Sequence, residues 1–381
     1  MPTQTIDMNN VTSVSFNNQT VNEIKLNGNT IWPLARHEYI TFSDSLYQTF
    51  TLYTANSTKN WDGTIETSTD KTTWTVWDGT TAVNSSNNGE LYVRGSNNTY
   101  ITGSATGKNW VFGGNATNIG LGGNLESLLD YETVEADGHP IMANYCFAGL
   151  FSSATKLKSV GADILPFTTL SEGCFYNMFM SSGLVLSPHL PAINLEKNCY
   201  RGMFSSCTNL VTARITQLNA PVLTEYCYYD MYYGCTSLTS SPTMSAITMG
   251  SNCCARMFMN CTSLTSTLSM STITTTANGC CNRMYSGCSN LVTIPLLYSL
   301  TLENSCYYRM FENNSKIKLS QTQTGDYVNE YRIPTTGTGT LVPASAFQST
   351  GNKEMFKSTG GTFTGTPTIN TTYYTSNTIV S

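Results

Sequence analysis

Thirteen cysteines are the most reactive side chains in this 381-residue chain, and their spacing decides what they can do. A zinc site needs Cys or His in close pairs that converge on one ion. Here the recurring spacing is Cys-x7-Cys, and the only histidines are His37, His139 and His189. No metal ligand set and no cofactor are expected. In the vicinal pairs Cys253-Cys254 and Cys280-Cys281, the second Cys stands where other units carry an aromatic residue. The thiols therefore read as small buried apolar side chains. Nucleophilic catalysis needs a His base held against its nucleophile, and these three His sit in no such motif. Gly120-Leu-Gly122-Gly123 lacks the Lys and the spacing of a phosphate loop, so it reads as a turn. Two carboxylates suffice for glycoside hydrolysis, which makes Glu66, Asp70 and Glu90 the basis of the one enzymatic alternative, a glycan hydrolase. Solvation on a Thr-rich strand is the plainer reading of those acids, and the chain is expected not to be an enzyme.

The elements that position these residues follow from composition and pattern. Charged residues make up 11 % of the chain, 19 basic against 24 acidic. Phosphate recognition needs a clustered Lys/Arg surface, so no nucleic-acid partner is expected. With 40 % apolar residues and low net charge the chain can bury a core. No apolar run approaches the roughly 18 residues that span a bilayer, so no membrane insertion is expected. The first residues lack a basic segment and an apolar segment, so no secretion signal is visible and the thiols are expected to stay reduced.

Residues 14–32 hold a small duplication, Val14-Ser-Phe16-Asn17-Asn18 followed by Ile24-Lys-Leu26-Asn27-Gly28, closing on Ile31-Trp32. Apolar alternation around Asn-Asn and Asn-Gly predicts two hairpins. A module so small buries little alone, so Phe16, Leu26, Ile31 and Trp32 are expected to attach it to another chain or domain. From 36 to 115, short alternating runs such as Tyr39–Phe42, Phe50–Tyr53 and Trp74–Trp77, broken by Asp62-Gly63, Asp78-Gly79 and Asn88-Gly89, predict an antiparallel β-sandwich.

Repeats dominate the next stretch. Units begin at Cys146, Cys174, Cys199, Cys227, Cys253, Cys280 and Cys306, at offsets of 28, 25, 28, 26, 27 and 26. The shared text places Cys199, Met203, Phe204, Cys207 and Leu210 in one unit, then Cys227, Met231, Tyr232, Cys235 and Leu238. It continues with Cys253, Met257, Phe258, Cys261 and Leu264, and with Cys280, Met284, Tyr285, Cys288 and Leu291. Taken at helical period these side chains form one stripe, which predicts a short helix and then an extended segment per unit, buried by stacking. Ala154, Ser182 and Asn314 replace the second Cys at the ends, as expected of units without a neighbour. Tyr228, Tyr229, Tyr307 and Tyr308 could supply binding surface, although Tyr228 and Tyr307 are equally well explained as filling between units.

The Cys-Tyr-x-x-Met-Phe-x-x-Cys-Thr-x-Leu text resembles the leucine-rich repeats of the BspA-like surface-protein family, over about 145–320. Leu26-Asn-Gly-Asn-Thr-Ile-Trp32 looks like the short N-terminal modules of phage fibre-type proteins. Together with the patterns above, the resemblance gives a multidomain chain. Its parts are an N-terminal β-hairpin module (1–35), the sandwich (36–115), a linker and cap (116–144), an α/β leucine-rich-repeat-type solenoid (145–320) and a β-rich C-terminal cap (321–381). It further implies a phage virion protein, made in the host cytoplasm, that binds other virion proteins through its first module and a host-surface glycan or protein through its repeats. Display as a homo-oligomer or in many copies is expected. The alternative is a bacterial surface adhesin with the same repeats.

Overall fold

The computed structural model describes residues 39–104, 108–213, 217–270, 272–292, 303–317 and Met355, and before them the backbone of four short strands. Those strands, β1 (Ser15–Phe16), β2 (Gln19–Thr20), β3 (Ile24–Leu26) and β4 (Asn29–Trp32), form two antiparallel pairs. Phe16 lies opposite Gln19 and Leu26 opposite Asn29, so Asn17-Asn18 and Asn27-Gly28 are the connecting residues. The side chains of Phe16, Leu26, Ile31 and Trp32, and with them the expected attachment contacts, lie outside the described residues.

Two sheets follow. The smaller contains β6 (Phe50–Thr54), β9 (Val83–Asn84) and β11 (Trp110–Gly114). The larger contains β5 (Ile40–Asp44), β7 (Thr64–Ser68), β8 (Thr75–Val76), β10 (Glu90–Ser96), β12 (Ile119–Gly122) and β13 (Leu157–Val160). They meet through Phe42 of β5 and Phe112 of β11, whose rings are 5.2 Å apart. Behind them Trp77 packs 5.1 Å from Trp61 and 5.2 Å from Trp110. The larger sheet is mixed, not antiparallel, because β12 pairs in parallel with β13 from the first repeat unit. Gly120–Gly122, expected in a turn, is therefore strand. The helix α1 (Ser127–Glu135) is interrupted at Asp130 and lies across β10. A Cβ on Gly95 would stand 1.7 Å from the Leu128 carbonyl oxygen, so that close approach requires glycine.

From Tyr145 onward the expected helix-plus-strand unit is wrong, and the chain does not build an α/β leucine-rich-repeat solenoid. Among the described residues α1 is the one α-helix, and each unit opens on a run of overlapping tight turns. Left-handed backbone recurs at every fourth residue: Tyr145, Gly149 and Ser153, then Gly173, Asn177 and Ser181, continuing to Ser305, Arg309 and Asn313. An α-helix has no such residues. The Cys, aromatic, Met, aromatic, Cys stripe thus has a period of four, and a true helix would rotate it by about 40° at each step.

Backbone satisfaction explains why this path is stable. Alternate N–H groups close turns inside a unit, as Met178 to the Phe175 carbonyl and Met180 to that of Asn177. Those between donate to the next unit: Phe175 to Cys199 (2.9 Å), Asn177 to Arg201 (2.8 Å), Phe179 to Met203 (2.9 Å) and Ser181 to Ser205 (2.8 Å). Every N–H from Gly173 to Ser182 has a partner, which matters because an orphaned buried peptide group costs as much as a lost hydrogen bond. Short parallel pairs carry the contact onward, β14 (Gln217–Leu218) with β16 (Thr243–Met244) and β15 (Val222–Leu223) with β17 (Thr248–Met249).

Inside the stack, all twenty side chains from Cys199 to Leu291 that carry the repeat text are fully buried. The rings of Phe151, Phe179, Phe204, Tyr232, Phe258, Tyr285 and Phe311 form one column, 5.4–5.8 Å apart and tilted by 15° or less. The second cysteines do more than fill space. Each Sγ donates to a carbonyl of the preceding unit: Cys207 to Phe179 (3.0 Å), Cys235 to Phe204 (3.1 Å), Cys261 to Tyr232 (3.1 Å) and Cys288 to Phe258 (3.0 Å). Asn314 is correspondingly no decayed end. It is fully buried, and its amide makes the same bond to Tyr285 at 3.0 Å.

The sandwich closes one end of the stack. Ile101 and Thr102 donate backbone N–H groups to the Cys146 carbonyl, and Trp110 donates to that of Leu150. At the other end Phe311 donates to Met355, in the register by which Phe179 meets Met203. The rest of 321–381, expected as a cap, lies outside the described residues.

Candidate ligand-binding face

A four-residue period with two side chains inward leaves two pointing out. At the outward positions the units carry tyrosine and arginine. The Arg201 guanidinium lies over three rings, 4.7 Å from the centroid of Tyr229, 5.2 Å from Tyr226 and 5.4 Å from Tyr176. Arg256 of the unit after next lies 5.0 Å from Tyr233 and 5.5 Å from Tyr229. Arg283 and Arg309 extend the series over Tyr308, at 5.5 and 5.1 Å. Such cation–ring contacts are worth roughly 0.5–2 kcal/mol each. The rings are half-buried except Tyr308, which is buried, so the face is amphipathic and pre-ordered.

The backbone under this face is strained. Gly149, Asn177 and Gly202 occupy the left-handed position that follows the Cys by three residues, and the next four units put Asp230, Arg256, Arg283 and Arg309 there, at φ of 50–56°. Left-handed backbone costs a side-chain-bearing residue roughly 1–2 kcal/mol. Nothing in the packing of the core needs a charged residue at these outward sites. Asp230 Oδ1 and Arg256 Nε are 2.9 Å apart, yet misaligned for a hydrogen bond, so they attract as charges only. Burial pushes the Asp230 carboxyl up to about 6, against the opposite pull of Arg256 and Arg201.

Tyr228 and Tyr307 are buried between units, while Tyr229 lies on the face. The sequence reading passed over Tyr176, Arg201, Tyr226, Asp230, Tyr233 and Arg256. Their signal is positional: each falls where a unit has no inward side chain, and Tyr226, Asp230 and Arg256 stand where Gly, Asn or Ser would suit the backbone.

The residues weighed for catalysis are occupied elsewhere. Glu66 forms a 2.8 Å ion pair with Arg94, whose guanidinium is sandwiched 4.1 Å from Trp74 and 4.0 Å from Tyr131. Glu90 stands four residues from Arg94 on the same strand, so its backbone lies about 13 Å along it from that of Arg94. A cleft of about 510 Å³ borders Asp70, Asp78 and Trp77. Asp70 Oδ1 accepts from the Thr72 and Thr73 N–H groups, and Asp78 Oδ1 accepts from those of Thr80 and Thr81. These bonds hold both carboxyls well below the ordinary range, as bases committed to their own turns. His139 pairs with Glu126 and His189 with Asp163, while His37 lies outside the described residues.

All thirteen cysteines are buried free thiols. Burial pushes Cys207 up to about 11 and Cys288 up to about 12, which keeps both protonated and unreactive at neutral pH. Among the described residues no group of His, Cys, Asp and Glu could hold a metal ion, and no helix is long and apolar enough to cross a membrane. The chain matches no family model, no curated protein and no solved structure.

Proposed function

We propose that this chain is a non-enzymatic phage virion protein that displays its repeat stack for host-surface recognition and attaches to other virion proteins through its N-terminal hairpins. The observation that carries the reading is the Tyr/Arg face, where Arg201 and Arg256 lie over the half-exposed rings of Tyr176, Tyr226, Tyr229 and Tyr233 and the backbone accepts left-handed strain at Asp230 and Arg256. Tyrosine and arginine are the side chains that anchor interfaces, because they offer large contact area for little ordering entropy. Repetition along the stack lets weak contacts add, more so when several copies are displayed together. The attachment half of the reading rests on the likeness of the first module to those of fibre-type proteins.

The test is adsorption. Labelled full-length protein should bind cells of the phage's host saturably, and Tyr229→Ala with Tyr233→Ala should reduce binding at least tenfold in protein that still melts cooperatively. Undiminished binding by that folded double variant would refute recognition through this face.

A further inference from the structure

Resting on that reading of the face, we infer that Arg201 and its three tyrosines form the subsite for an anionic group carried on a sugar chain, such as a carboxylate or a phosphate. The inference comes from which charges on the face are already spent. Lys197 pairs with Glu225 at 2.7 Å, Arg256 faces Asp230, and Arg283 and Arg309 share Glu312. Glu172 accepts the Tyr145 hydroxyl at 3.2 Å. Arg201 alone among these arginines has no carboxylate within ion-pair distance among the described residues, and its one side-chain hydrogen bond goes to Asn198 Oδ1 at 3.2 Å. Rings of Tyr176, Tyr226 and Tyr229 surround the guanidinium, with centroids 4.7–5.4 Å away.

Beyond the bond to Asn198, the remaining N–H donors of the guanidinium are the part able to bind. A planar fork with free donors suits a carboxylate or phosphate, which it can engage through two parallel hydrogen bonds. The flanking rings supply stacking area for the sugar that bears the anion. Because the rings already fix the guanidinium, little ordering cost remains to be met on binding.

The test compares three polymers on immobilised full-length protein: polygalacturonate, dextran phosphate and unmodified dextran. At least one of the two anionic polymers should be retained at least tenfold better than dextran, with retention falling as salt rises, and which one is retained identifies carboxylate or phosphate. Arg201→Gln should abolish the preference in protein that still melts cooperatively. Arg201→Lys, which keeps the charge without the fork, should retain only part of it. Equal retention of dextran, or an Arg201→Gln protein that keeps the preference, would overturn the anionic subsite. If Arg201→Gln still adsorbs fully to host cells while the Tyr229→Ala, Tyr233→Ala protein does not, recognition by the face stands and this subsite alone falls.

Discussion

The sandwich and the turn stack solve the same packing problem in opposite ways. In the sandwich the rings choose their own geometry: Phe42 with Phe112, Phe50 with Phe112 and Trp77 with Trp110 all meet edge to face, at interplanar angles of 66–78°. Edge-to-face and offset arrangements suit the ring quadrupole best. In the stack, Phe204 lies parallel to Phe179 within 1°, and so does Phe311 to Tyr285. There the inter-unit hydrogen bonds set the spacing first and side chains take the geometry that remains. The lesson is one of hierarchy, with side chains dominant where strands of unequal length pack face to face and backbone dominant where one unit repeats.

The largest expected effects follow from this difference. Phe258→Ala and Trp110→Ala should each cost about 3–5 kcal/mol through lost burial and a residual cavity. Hydrogen exchange should separate them. Among the described rings Phe258 touches its column neighbours Tyr232 and Tyr285, so protection should fall in three adjacent units. Trp110 touches Trp61, Trp77 and Phe151, so both sheets and the first unit should open together. Equal loss of protection across the molecule for Phe258→Ala would show a single cooperative block instead.

Next come two changes of opposite sign at the same column position. The Tyr232 hydroxyl is buried without a partner, and its neighbours in the column are Phe204 and Phe258. Tyr232→Phe should therefore raise stability by about 1 kcal/mol. The Tyr285 hydroxyl accepts the Leu268 N–H at 3.1 Å, so Tyr285→Phe should lower it by about 1 kcal/mol. Denaturant midpoints at constant slope would read both, and equal signs would contradict the assigned partners.

Smaller still is the second-cysteine bond. Cys235→Ala should cost about 1 kcal/mol from lost packing and a lost donor to Phe204, while Cys235→Ser, which keeps a donor, should cost less. A serine variant weaker than alanine would mean that the apolar character of sulfur outweighs its hydrogen bond.

The two regions should also respond oppositely to acid. Asp70 and Asp78 are held below their ordinary values, so they stabilise the sandwich at neutral pH and that contribution is lost as pH falls below about 4. Asp230 is raised to about 6, so its contribution to the stack is complete below the ordinary carboxyl value and lost as pH rises through 6. Exchange measured between pH 7 and 4 should show the stack gaining protection while the sandwich holds. Asp230→Asn should remove the gain, and persistence of the gain in that variant would assign it to another group.

Burial was legible in the sequence because it depends on residue type and spacing, and Cys, Met and aromatic residues at fixed offsets face inward in any regular path. The path itself was not legible because a helical stripe drifts by only about 80° from a period of four over nine residues, which keeps it on one broad face. Gly173, Asn177 and Ser181 carried the distinction, as residues that tolerate left-handed backbone at strict fourth positions. Steric complementarity between units was harder to see: a Cβ on Gly202 would sit 2.0 Å from Asn177 Oδ1, a contact between residues 25 apart that no local pattern reveals. The face stayed hidden because Arg201 and Arg256 are scattered in sequence and meet only when units stack.

The most direct test sets the two aromatic surfaces of the molecule against each other in competition with whole particles for host cells. One variant removes Tyr229 and Tyr233 from the stack, and the other, Trp74→Ala, breaks the cluster of Tyr39, Trp74 and Arg94 on the sandwich. With both variants folded, Trp74→Ala protein should block adsorption as the unaltered chain does, and the Tyr229→Ala, Tyr233→Ala protein should not. Loss of blocking by Trp74→Ala alone would place recognition on the sandwich and contradict a binding role for the stack.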